Sequence, residues 1–131
     1  MRLILVEDEP FIALDLQMLA LAAGHMVVGV ADSFDTAMAL ARAERPDAAL
    51  VDLNLSDGPT GPKVAQTLMH DLGVAVGFVT GNPDQLPQDF GGAVGVLDKP
   101  FVDQGVLEML ELLEADGAGP NAPRYVRKVA A

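Results

Sequence analysis

The sequence predicts an open α/β domain: a doubly wound sheet of five parallel strands with helices on both faces. Three observations carry this. Five short apolar runs recur along the chain, and they are continuous rather than alternating, as in strands buried on both faces. Between most of them lie stretches with apolar residues at helical spacing. The whole chain is 131 residues, room for one domain. Five such units suit a doubly wound sheet and are too few for an eight-stranded barrel.

The first unit begins with a buried strand at residues 3–6, Leu-Ile-Leu-Val. Asp8-Glu9-Pro10 then supplies a cap residue, a first-turn acid and a proline where a helix can start. Phe11, Leu14, Met18, Leu21 and Ala22 follow at helical spacing and predict the buried face, and Gly24 closes the helix. The unit then recurs. Residues 27–31 form a second strand, Asp32 or Ser33 a cap, and Phe34, Ala37, Met38, Leu40 and Ala41 a second helical face that Pro46 ends. Residues 48–53 form the third strand, and residues 56–62 (Ser-Asp-Gly-Pro-Thr-Gly-Pro) a loop by composition.

Val64, Leu68, Met69 and Leu72 mark a third helix, and residues 74–79 and 93–97 the last two strands. Between those strands, residues 82–92 carry Pro83, Pro87, Gly91 and Gly92, so any helix there is expected to be short and weak. A final helix over about 102–115 buries Val106, Leu107, Leu110 and Leu113 and turns Glu108, Glu111 and Glu114 elsewhere. Residues 1–115 thus read as one domain. Residues 116–131, rich in Gly, Pro and Ala with a basic end, read as a flexible, solvated tail.

Composition excludes several functions. The chain has no Cys, which removes disulfides, thiolate metal sites and Cys nucleophiles. Eight Lys and Arg against nineteen Asp and Glu give a net charge of −11. Residues 1–115 hold five of those bases and eighteen of the acids, or −13, a surface that repels nucleic-acid phosphates and anionic lipid. The longest nearly apolar stretch, residues 18–31, is broken by Gly24, His25 and Gly29, and falls short of the roughly 18 residues a span needs. Neither a membrane segment nor a signal peptide is expected, and a cytoplasmic location is. Met18, Met26, Met38, Met69 and Met109 are expected as core filler, and His25 and His70 as surface or boundary residues.

In open α/β sheets, ligands bind beyond the carboxyl ends of the strands, so those ends test function. Glu7 and Asp8 follow the first strand, Asp52 ends the third, Thr80 ends the fourth, and Lys99 follows the fifth. Each has an ordinary explanation alone: a helix cap, a loop carboxylate, a surface ion-pair partner. Together they place three carboxylates, a hydroxyl and an ammonium on one rim. Clustered acids repel one another, so an acid-rich pocket with one lysine points to a divalent cation. No Walker lysine loop and no Gly-x-Gly-x-x-Gly follows the first strand. An Asp beside a hard cation can itself attack a phosphoryl group, with the cation, Lys99 and Thr80 meeting the transferred oxygens.

These motifs resemble the receiver domain of bacterial two-component response regulators, over about residues 2–115. The likeness rests on Glu7-Asp8 after Leu-Ile-Leu-Val, Asp52 in Leu-Val-Asp-Leu-Asn-Leu, Thr80-Gly81 in Phe-Val-Thr-Gly-Asn-Pro, and Lys99-Pro100-Phe101. It implies a flavodoxin-like (βα)5 fold, with Asp52 accepting a phosphoryl group from a histidine kinase or phosphotransferase in a Mg²⁺-dependent reaction. It also implies that Asp8 and Asp52 hold Mg²⁺ by side chain, Asn54 by its backbone carbonyl and Glu7 through water. Thr80 and Lys99 would contact phosphoryl oxygens, and the Lys99-Pro100 bond is commonly cis. Val96 stands where the family usually has an aromatic that rotates on activation. Phe-Val-Thr-Gly resembles a Phe-Ala-Thr-Gly subgroup of mostly stand-alone receivers that share this lack.

The resemblance thus implies a stand-alone receiver that signals through an unidentified protein partner, with a weak homodimer as a further possibility. No activity beyond self-phosphorylation from small phosphodonors and autodephosphorylation is expected. A phosphate sink or phosphorelay intermediate remains an alternative, as does a receiver fold that binds protein without phosphorylation. A phosphohydrolase of the haloacid dehalogenase type fits less well, because Asn54 stands where its second Asp would act as acid and base.

Overall fold

In the computed structural model, which describes residues 1–87 and 90–116, strands β1 (Arg2–Val6), β2 (Met26–Ala31), β3 (Ala48–Val51), β4 (Ala75–Thr80) and β5 (Val96–Asp98) form one sheet. All pairings are parallel and the order is β2-β1-β3-β4-β5. The chain therefore winds outward in one direction from β1 to β2 and in the other from β3 onward. The reversal falls between β1 and β3, where a cleft opens in such sheets. The helices are α1 (Pro10–Ala22), α2 (Phe34–Glu44), α3 (Gly61–Leu72) and α4 (Asp103–Asp116).

Strand side chains alternate between two apolar layers, which explains the continuous runs. Ile4 and Val6 of β1, Ala49 and Val51 of β3, and Val76 and Phe78 of β4 pack toward α2 and α3. Leu3, Leu5, Ala48, Leu50, Val79 and Leu97 pack toward α1 and α4. Helix α4 lies close on β4 because Gly77 has no side chain; a Cβ there would stand 2.5 Å from the Met109 sulfur. Ser33 caps α2, its hydroxyl accepting from the Thr36 N–H while the Thr36 hydroxyl accepts from the Ser33 N–H.

Several expectations need correction. The predicted buried face of α1 is its outer face: Phe11, Leu14, Met18 and Leu21 are exposed, and Ala13, Leu16 and Ala20 are buried. The helix is apolar almost all round, with Asp15 and Gln17 its polar side chains, so periodicity alone could not choose a side. The small Ala13 and Ala20 let the helix axis approach the sheet, and that decides it. The α1 N-cap is Glu9 rather than Asp8.

Met18 and Met26 are exposed, whereas Met38 and Met109 are core residues. His25 is buried, with its ring nitrogens 3.0 Å from the Met1 nitrogen and 3.1 Å from Glu114 Oε1. Strand β3 stops at Val51, so Asp52 is the first residue beyond it. Strand β5 starts at Val96, although Val94 already donates to the Val76 carbonyl. Among the described residues, β4 and β5 are joined by two 3-10 turns, Pro83–Gln85 and Phe90–Gly92, and by no α-helix. The expected tail from residue 117 onward lies outside the described residues. No described helix is long and apolar enough to cross a membrane.

Candidate functional site

The sheet's backbone bonding sets the site. Glu7 donates its N–H to the Ala31 carbonyl, Asp52 to the Val6 carbonyl, and Lys99 to the Thr80 carbonyl. Each of these residues is therefore held by the ladder just past its strand, with its side chain at the carboxyl rim. Thr80 is itself the last residue of β4 and is fully buried. Its hydroxyl accepts from the Asn82 N–H at 3.1 Å. Behind Asp52, the start of α3 presses on the backbone. A Cβ at Gly61 would collide with the Asp52 carbonyl oxygen, so the glycine lets helix and loop meet there.

Lys99 occupies the centre. Its Nζ lies 2.8 Å from Asp52 Oδ2 and 2.7 Å from Glu7 Oε1, with Glu9 Oε1 at 3.7 Å. The contact with Asp52 is a hydrogen bond. That with Glu7 is close in distance, but its angle leaves buried Oε1 without a well-formed hydrogen bond. The other Glu7 oxygen accepts from the Glu9 N–H at 3.2 Å. One carboxylate oxygen from each of Glu7, Asp8, Glu9 and Asp52 lies within 4.8 Å of the others.

This crowding shifts protons. Burial pushes the Glu7 carboxyl up to about 7, reinforced by the Asp52 charge and only partly opposed by Lys99. Burial alone would depress the Lys99 ammonium, yet its hydrogen bond to Asp52 and its close ion pair with Glu7 carry it above its ordinary value.

All the residues singled out from the sequence meet here. Asp8, Asp52, Asn54 and Lys99 line a cleft of about 440 Å³, with Glu9, Ile12, Gly81, Asn82 and Pro100. Glu7 is buried beside this cleft within the acid cluster, and buried Thr80 adjoins it through the Asn82 N–H that its hydroxyl accepts. A larger cleft of about 550 Å³ near the opposite end of the sheet contains none of these groups. Glu9, which the sequence marks only as a first-turn acid, also joins the cluster. Its place in the run Glu7-Asp8-Glu9 was the available signal. The Lys99–Pro100 peptide is cis, as the resemblance implied. An all-oxygen donor set with one poorly bonded buried carboxylate oxygen suits a hard cation such as Mg²⁺, the ion that receiver domains bind at an acidic pocket.

Fold and site together define an open, parallel α/β domain with an acid-and-lysine pocket at its switch point. Residues 3–111 match the response regulator receiver domain, and the chain belongs to that family. It is 37% identical over 85 residues to the phyllosphere-induced regulator PhyR of Methylorubrum extorquens, an alignment covering 64% of this chain and 32% of that protein. The crystal structure of the response regulator PhyR from Brucella abortus superposes with a TM-score of 0.80 at 34% identity, over 89% of this chain and 49% of that one. The anti-anti-sigma factor PhyR from Bartonella quintana gives a TM-score of 0.75 at 26% identity, over 86% and 46%. The chain thus spans half or less of the length of these relatives.

Proposed function

We propose that Asp52 is the phosphoacceptor of a Mg²⁺-dependent receiver that signals by phosphorylation-dependent protein binding. The observation that carries this reading is the triangle Lys99–Asp52–Glu7 inside the acid cluster. A carboxylate held by an ammonium, at the floor of an open cleft and beside three other acids, is a nucleophile whose charge is already partly screened. In the reaction, an Asp52 oxygen attacks the phosphorus of a phosphohistidine or small phosphodonor. The O–P bond forms as the bond to the leaving group breaks, and the electron pair departs with the leaving group.

Asp8 and Asp52 by side chain, Asn54 by its carbonyl and Glu7 through water would hold Mg²⁺, which supplies positive charge to the phosphoryl oxygens. Lys99 would leave Glu7 for a phosphoryl oxygen, and the Thr80 hydroxyl would donate to another. The kinship with an anti-anti-sigma factor supports a downstream partner in sigma-factor control. A histidine kinase or phosphotransferase would supply the phosphoryl group in a cytoplasmic setting.

The test is intact-mass analysis after incubation with acetyl phosphate and Mg²⁺. Wild type is expected to gain one phosphoryl group, and Asp52→Asn none. Equal labelling of Asp52→Asn would overturn the assignment.

A further inference from the structure

We propose that the outer face of α1 is a self-association surface, against which a second copy of this chain packs its own α1 in antiparallel orientation. Phe11, Leu14, Met18 and Leu21 are 86%, 52%, 62% and 72% exposed. They lie opposite Ala13, Leu16 and Ala20, which bind the helix to its own sheet. Their spacing of three, four and three residues is the a/d seam along which two helices interlock. A helix apolar all round is ordinarily covered on both sides, and here the fold covers one.

Size and symmetry favour a second copy. Four large apolar side chains at this exposure present roughly 500 Å², so a pair would bury on the order of 1,000 Å², the lower end for a specific interface. A two-fold axis beside residue 16 sets Phe11 against Leu21 of the second copy and Leu14 against its Met18. These are the a-to-d contacts of an antiparallel seam. The seam itself carries no charge that would direct a partner of opposite sign; Asp15 flanks it and Gln17 is neutral. The remainder of residues 1–115, at −13, repels its copy. The dimer is therefore weak, and salt strengthens it by screening. This surface is independent of the phosphoacceptor assignment.

Sedimentation equilibrium of the full chain tests it. The expected result is a monomer–dimer equilibrium with a Kd on the order of 100 µM, tightening between low and high NaCl. Met18→Glu is expected to weaken it at least about tenfold, leaving the thermal melt of the monomer unchanged. Because the chain has no Cys, a mixture of Leu14→Cys and Met18→Cys proteins should form the mixed disulfide faster than Phe11→Cys alone forms its own. Three results would each overturn the proposal: a monomer at every concentration, a dimer indifferent to Met18→Glu, or a dimer that salt dissociates. The last would indicate a surface built for a basic partner.

Discussion

Glu7 offers a sharp test of the proposal that the pocket holds Mg²⁺. The residue is 4% exposed, and burial pushes its carboxyl up to about 7 from an ordinary value of 4.5. At about pH 6 such a group is roughly one-tenth ionised, and at about pH 8 roughly nine-tenths. Protons and Mg²⁺ then compete, so the apparent Mg²⁺ affinity is expected to rise about tenfold across that interval. An unperturbed carboxylate would be ionised throughout and give no slope. In Glu7→Gln the tenfold rise should vanish.

Stability follows the same proton. The folded pKa lies above the unfolded one, so the folded state binds more protons between about pH 4.5 and 7. Metal-free stability should therefore fall with rising pH through that window, by up to about 3 kcal/mol, and Mg²⁺ should offset the fall. Calorimetric titration reads the affinity, and thermal melts in EDTA read the stability. A wild-type Mg²⁺ affinity that is flat from pH 6 to 8, or the same slope in Glu7→Gln, would refute the reasoning.

Two further outcomes are expected. Lys99→Ala should keep Mg²⁺ binding, even tightening it because a competing cation is gone, while losing the conformational response to BeF₃⁻; calorimetry and NMR read the two effects separately. Leu16→Ala should cost about 2–5 kcal/mol in urea unfolding, whereas Leu14→Ala, measured at low protein concentration, should stay within about 0.5 kcal/mol.

How much of this was legible in the sequence depended on whether one physical signal dominated. The strands were readable because burial on both faces leaves no polar position, as in Leu3 to Val6 and Ala48 to Val51. The site was readable because the ends of parallel strands share one rim, so Glu7, Asp52, Thr80 and Lys99 had to meet once the strands were found. The orientation of α1 was not readable. Amphipathic reasoning needs a polar face, and α1 offers two apolar ones; large residues went outward because small ones pack closer to the sheet. Local chemistry also could not show that Glu9 turns toward Lys99, or that His25 is buried between the chain start and Glu114. Those contacts depend on residues far apart in sequence.

With Val96 buried in the sheet and no aromatic ring there to rotate, the proposed phosphorylation of Asp52 would need another route out. The hydrogen bonds indicate one. Lys99 is tied through its N–H to the Thr80 carbonyl, and the Thr80 hydroxyl holds the Asn82 N–H. A phosphoryl group brings about two negative charges to the floor of the cleft and would draw both Lys99 Nζ and the Thr80 hydroxyl toward it. Asn82 then shares or loses its acceptor. Immediately beyond lies the turn Pro83–Gln85, which has no buried residue, and then Leu86 and Phe90, only partly buried against the α2–α3 layer. Few apolar contacts resist movement of this segment, whereas α1 to α3 are fixed by fully buried side chains. Hydrogen exchange with and without BeF₃⁻ is therefore expected to change most within residues 80–101. A change centred on α1 and α2, with residues 80–101 unaltered, would refute the route and place the output face on the other side of the sheet.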